Sequence, residues 1–219
     1  MIHWKSSITS IISSTFLSGN YTSACDYTNI TDFVFLKKFS IDIHPPKAPK
    51  IIEVLWNPPP LHWIKCNTDG SSNTNTSSCG GIFRDRNADF LMCFAENTGH
   101  ENAYFAELSG AMRAIELAKL HNWQSLWLES DSALVVNAFK NISQVPWKLR
   151  NRWENCILAT RNMNFIVSHV FREGNECADM LANIGLSLNC LTIWLELPDC
   201  IKSIFIKNKL GWPNNRFVY

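Results

Sequence analysis

The chain is predicted to be an α/β protein, with a mixed five-stranded sheet and helices on both faces. Two observations predict this. Three short apolar runs follow one another as a strand meander, and beyond them helical and strand patterns alternate. Hydrophobic residues make up 46% and charged residues 18% of the 219, a balance that fits a packed core and excludes a mostly disordered chain.

The elements can be taken in order. Residues 1–55 have little periodicity and read as an irregular spacer. The Pro/Lys stretch 44–50 reads as an extended linker. Residues 1–24 are rich in Ser and Thr but lack Arg and a continuous apolar core, which makes a targeting peptide the weaker reading. Three prolines, Pro58, Pro59 and Pro60, can join neither a helix nor a central strand, so the domain starts beside them at 56. Residues 62–68 alternate as a strand, and the polar run 71–78 reads as a turn. Residues 79–84 and 90–96 are the next two strands.

A helix is predicted over 103–121, where Tyr104, Leu108, Ala111, Ile115 and Ala118 recur at three- and four-residue steps. A strand over 125–129 follows. Ser130, Asp131 and Ser132 then start a helix, because short oxygen-bearing side chains satisfy free N–H groups there. A helix over 147–161, a strand over 164–171 and a helix from Gly174 to Leu186 complete a domain of 56–190, with a tail over 191–219.

The charge is +1, too small for a protein that coats nucleic acid through its net charge. None of the eight cysteines stands in a C-x-x-C pair, so they read as free thiols. No run of 18 apolar residues occurs, so no membrane span is expected. Trp56, Trp63, Trp123, Trp147 and Trp212 stand at segment ends, where a large ring closes a core edge.

Four acids carry the candidate chemistry: Asp69, Glu107, Asp131 and Asp179. Each has a bland structural alternative. Asp69 with Gly70 and Ser71 suits an Asx turn. Asp131 suits a helix cap. Glu107 suits a first helical turn. Asp179 suits a solvated helix flank. Their order along this string of strands and helices is the specific signal, since an acid beside an apolar face is costly unless paired or metal-bound.

Five motifs in this order resemble the type 1 ribonuclease H domain, in the plant form found in non-LTR retrotransposon polyproteins. They begin with the Trp56–Pro60 leader running into Thr68-Asp69-Gly70-Ser71, then Gly80-Gly81-Ile82-Phe83-Arg84-Asp85. Ala106-Glu107-Leu108 and Glu129-Ser130-Asp131-Ser132 follow, and the last is His169 through Asn175 into Ala178-Asp179-Met180-Leu181-Ala182.

The resemblance implies a ribonuclease H-like fold and an endonuclease that hydrolyses the RNA strand of RNA–DNA hybrids, leaving a 5′-phosphate and a 3′-hydroxyl. It implies two Mg²⁺ ions, with Mn²⁺ as a substitute, held by Asp69, Glu107, Asp131 and Asp179. Asp69 would bridge both ions. Asp179 would complete the water-activating site, and Glu107 and Asp131 would hold the ion at the leaving oxygen. His169 would assist proton transfer or product departure. Asn175, Arg172 and Ser71 are candidates for the substrate side. The family also implies a monomer in the nucleus or cytoplasm. A second function class stays open: a retrotransposon-derived domain that binds nucleic acid with little or no cleavage. Loop 73–78 lacks the glycines of bacterial members, and Asn102 is offset from their asparagines.

Overall fold

A computed structural model describes residues 3–21, 30–41 and 49–218. The chain divides into two compact units, Met1–Ile52 with Phe217–Tyr219, and Glu53–Arg216.

The first unit holds helices α1 (His3–Tyr21) and α2 (Ile30–Lys38), where the sequence suggested irregular chain. Ser and Thr side chains compete with the backbone for hydrogen bonds and so lower helix propensity. In α1 that competition is turned inward: the hydroxyls of Thr9 and Thr15 donate to the carbonyls of Lys5 and Ile11, one turn back. Cys25 and most of the expected 44–50 linker lie outside the described residues. No helix among the described residues is long and apolar enough to cross a membrane.

The second unit is built on β2 (Ile64–Ser72), β3 (Ser77–Arg84), β4 (Phe90–Gly99), β5 (Ser125–Ser130), β6 (Asn164–His169) and β7 (Thr192–Trp194); Lys50–Val54 is the preceding strand, β1. Their order in the sheet is β6-β5-β2-β3-β4-β7. The pairs β2–β3, β3–β4 and β4–β7 are antiparallel, whereas β5 pairs parallel with β2 and β6 parallel with β5. The sheet therefore has six strands, not five. The sixth, β7, is three residues long, too short for alternation to register in the sequence.

Helices α3 (Ala103–Leu120), α4 (Ala133–Ala138) and α5 (Arg150–Thr160) belong to one face. Phe83, Phe94, Leu108, Ile115, Leu126, Leu128 and Trp153 pack together there. Helices α6 (Glu176–Gly185) and α7 (Asp199–Lys209) cover the other, where Ile82, Cys93, Cys177, Leu181, Ile201 and Phe205 pack. Within the expected tail over 191–219, α7 thus contributes Ile201 and Phe205 to the core. Ile201 and Phe205 stand four residues apart on one side of α7. Trp56 is buried and Trp123 packs on Phe83, but Trp147 and Trp212, expected at core edges, are exposed.

Three boundaries depart from expectation. His62 has a positive φ of 68°, so β2 starts later and runs on to Ser72. Asp69 therefore pairs with Gly80 inside the hairpin instead of ending a strand. The turn is confined to the residues around Asn73, whose Oδ1 accepts from the backbone N–H groups of Asn75 and Thr76.

Two glycines let the helices reach the sheet. A Cβ at Gly70 would lie 2.4 Å from the backbone nitrogen of Glu107 in α3, and one at Gly80 would lie 2.4 Å from that of Ala182 in α6. Backbone cannot give way as a side-chain tip can, so Gly80→Ala must push α6 off the sheet. The expected cost is about 2–3 kcal/mol, read as a lowered denaturation midpoint. An unchanged midpoint would mean that α6 does not pack this closely.

Candidate metal centre

Asp69 reaches the site from the middle of β2, and Asp131 from the residue after β5. The parallel register sets Thr68 beside Ser130, so the two acids that follow them are neighbours. Glu107 comes from α3, in the second turn beyond its N-cap; Asn102 caps the helix by accepting from Phe105 N–H. Gly70 is what lets this turn of α3 approach. Carboxylate oxygens of Asp69, Glu107 and Asp131 all lie within 4.8 Å of one another.

Local bonds orient each group. Asp69 Oδ1 accepts from Gly70 N–H at 2.8 Å. The Ser130 hydroxyl points to Glu107 Oε2 at 3.5 Å. Asn175 Nδ2 donates to Asp131 Oδ1 and to the carbonyl of Thr68, both at 3.0 Å, which ties the start of α6 to β2 and to Asp131 together. Asp131 is therefore not a helix cap. Ser132 occupies that position, with no side-chain capping bond.

Three acids so close and so little hydrated resist ionisation together. Burial and the neighbouring Asp131 charge push Asp69 up to about 7, although the Gly70 N–H works against the shift. Burial, then Asp69 and Asp131, push Glu107 up to about 9. Asp131 is also raised by burial, with its hydrogen bonds, including that from Asn175, pulling it back.

Asp179 lies in the first turn of α6 and is not one of this three-carboxylate group. Its Oδ1 is 3.5 Å from Arg172 Nη2, and its Oδ2 accepts from Asn183 Nδ2 at 3.2 Å. Asn183 Oδ1 accepts in turn from the Ser71 hydroxyl at 2.7 Å. Ser71 thus supports Asp179 through Asn183. Arg172, Glu173, Glu176 and Asp179 line a shallow cleft of about 240 Å³. Asn183 escaped the sequence reading, yet it stands four residues after Asp179, the helical spacing at which two side chains meet.

His169 is exposed at the end of β6, with Nε2 3.0 Å from the carbonyl oxygen of Asp131. A carbonyl oxygen only accepts, so Nε2 carries the proton and Nδ1 is the nitrogen left to exchange one.

The chemistry of the donor set fits a hard divalent cation. All three groups offer carboxylate oxygens. Among the described residues, none of the three forms an ion pair with a Lys or Arg. A cation would relieve the repulsion that raises their pKa values.

A pH dependence follows. With folded-state pKa values raised, the protonated acids' contribution to stability is complete below about pH 4. It is lost as the pH climbs through about 7 and then about 9. A cation that binds the ionised cluster must therefore stabilise more at high pH. Mg²⁺ is expected to raise the thermal midpoint by roughly 3–5 °C at pH 8.5 and by less than about 1 °C at pH 5.5. Equal shifts at both pH values would remove the cluster as the binding site.

Similarity to known proteins agrees with this geometry. The family described as reverse transcriptase-like matches residues 67–185. An Arabidopsis thaliana protein named provisionally as a ribonuclease H protein is 33% identical over 183 residues, covering 81% of this chain and 29% of that protein. The chain thus spans less than a third of that relative's length. RNase H1 of the halophilic archaeon Halobacterium salinarum superposes with a TM-score of 0.52 at 22% identity, over 57% of this chain and 97% of that one. The N-terminal RNase H domain of a Mycobacterium tuberculosis protein gives 0.52 at 20%, over 57% and 93%. LC11-RNase H1, solved in complex with RNA/DNA hybrid, gives 0.50 at 21%, over 56% and 96%. The matched region covers more than half of the sequence and contains Asp69, Glu107, Asp131, His169, Asn175 and Asp179, so the chain belongs to the reverse transcriptase-like family, on a ribonuclease H fold.

Proposed function

We propose that this protein hydrolyses the RNA strand of RNA–DNA hybrids with the help of two divalent cations, Mg²⁺ by preference. The observation that carries the reading is the meeting of carboxylate oxygens of Asp69, Glu107 and Asp131 within 4.8 Å in a partly buried site where, among the described residues, no Lys or Arg forms an ion pair with them. The hybrid-bound state of the LC11 neighbour and the name of the Arabidopsis relative support the substrate class.

In this reading Asp69, Glu107 and Asp131 hold metal, and Asp179 joins them from α6. Bound cations would supply charge for the scissile phosphate and acidify an attacking water. The chain's own groups do the rest. Asn175 keeps the Asp131 carboxylate turned by holding Oδ1. Ser71 and Asn183 hold Asp179 by Oδ2. Arg172, weakly paired and exposed, can exchange Asp179 for a substrate phosphate, which its planar fork suits. His169, with Nε2 held by the Asp131 carbonyl, would take or return a proton at Nδ1. Selection of RNA over DNA would rest on 2′-hydroxyls and on the shape of the hybrid minor groove, with weak sequence preference.

A second reading is a nucleic-acid-binding domain with little turnover. It is favoured by one observation: Asp179 stands outside the three-carboxylate group, bound to Arg172 and Asn183. Cleavage of a hybrid labelled in its RNA strand separates the two. The enzyme reading expects Mg²⁺-dependent products with 5′-phosphate ends, and a loss of at least about 100-fold in Asp131→Asn. Hybrid binding with no difference in cleavage between wild type and Asp131→Asn would leave the binding reading alone.

A further inference from the structure

The loop from His169 to Asn175 joins β6 to α6 and carries three candidate site residues, His169, Arg172 and Asn175. Its inner side is held from the sheet. Val170 N–H donates to the Ser130 carbonyl at 3.0 Å, and the buried Asn175 donates to Thr68 and Asp131. Its outer side is held by residues that lie beyond the family region, in the strand β8 (Asn214–Val218). Asn214 Nδ2 donates to the backbone carbonyl of Glu173. Arg216 Nη1 lies 3.2 Å from Glu173 Oε2. The same guanidinium stands 4.5 Å from the centre of the Phe171 ring, and the Phe171 ring meets the His169 ring edge-on, 5.9 Å away at 88°.

We propose that Asn214 and Arg216 are positioning residues for the loop that carries His169. The proposal rests on the hybrid-cleaving reading for its kinetic consequence, but not for its structural one.

The chain of contacts runs outward from the reacting edge. His169 is fixed on one side by the Asp131 carbonyl. On the other its ring meets that of Phe171, a residue 43% exposed. Arg216 stands against the Phe171 ring and anchors itself on Glu173, two residues along the same loop. One arginine therefore closes two points of a short turn at once, by a cation–π contact and an ion pair. Each contact is modest. Together they suppress opening of the loop by about tenfold. That is enough to decide how often the imidazole is in place, because proton transfer demands hydrogen-bond reach.

The test uses the full chain with Arg216→Ala, Arg216→Lys and Asn214→Ala, after thermal unfolding has shown that each variant is folded. Hydrogen exchange over 170–175 is measured, together with the imidazole Cε1–H signal of His169, assigned by its loss in His169→Asn. Hybrid cleavage is followed with Mg²⁺. Arg216→Ala is expected to speed exchange in the loop by about tenfold with β2 and β5 unchanged. It should also shift the His169 signal, and lower kcat about fivefold with KM within about twofold. Arg216→Lys keeps a cation to pair with Glu173 but loses the broad guanidinium over Phe171, so it should fall between. Asn214→Ala should speed loop exchange with a smaller effect on the His169 signal. Unchanged loop exchange and an unchanged His169 signal in Arg216→Ala would overturn the proposal. If both respond while the wild type cleaves no hybrid, the clamp stands and the hybrid-cleaving reading falls.

Discussion

The seam between β2 and β5 is the constraint on which the rest of this structure depends. It is pinned by buried charge. Lys65, 1% exposed, donates to Glu129 Oε1 at 2.9 Å and to the Asn57 carbonyl at 2.8 Å, with its ammonium 3.6 Å from the Trp127 ring centre. Asn67 donates to the second oxygen of Glu129. Its own Oδ1 accepts from Trp56 and from Arg84, and Arg84 reaches on to Asn208 in α7. Burial lowers the Lys65 pKa, while Glu129 works to raise it again. A slip of one residue would turn this set toward the opposite face and strand a buried ammonium, an error of several kcal/mol. The register that avoids it also places Asp69 beside Asp131.

From that seam the site is assembled from both faces of the sheet. Gly70 admits α3 and with it Glu107; Gly80 admits α6, which carries Asp179 and is entered through Asn175. A Cβ at Gly70 would hold α3 away and draw Glu107 out of the cluster, and one at Gly80 would hold α6 and Asp179 away from the sheet. The assembled group violates the usual rule for buried carboxylates, since it gathers like charges with no cationic side chain among the described residues in an ion pair with them. Violations of this kind concentrate where function requires them, with stability supplied by other parts of the molecule. Here those parts include the buried polar network one step further down the same strands, and the apolar packing of α3 and α6.

Much of this was legible before folding. The helical spacing in 103–121 showed which side of α3 is apolar, and it set Glu107 on the margin of that side, as the structure has it. The four acids could be picked out by their order, and Asn175 and His169 by their place before Asp179. Other features left no local trace. Asp69-Gly70-Ser71 looks like a turn, because strand pairing with β3 is a long-range event that overrides local preference. Ser71 looked like a substrate contact, whereas it bonds to Asn183, 112 residues away. β7 and α7 were hidden in what read as a tail; in β7, three residues are too few to show a period.

By itself, the sequence determined the class of the fold, through periodicity. It also marked out four candidate acids, through their order and their resemblance to a known family, and with them the oxygen ligands they would offer a metal. Only the tertiary structure decided that Asp69, Glu107 and Asp131 meet within 4.8 Å while Asp179 is held by Arg172 and Asn183. It also decided that the last strand braces the loop of His169. Distances between side chains from separate elements are set by register, by helix approach and by buried charge. None of these is a property of any single segment.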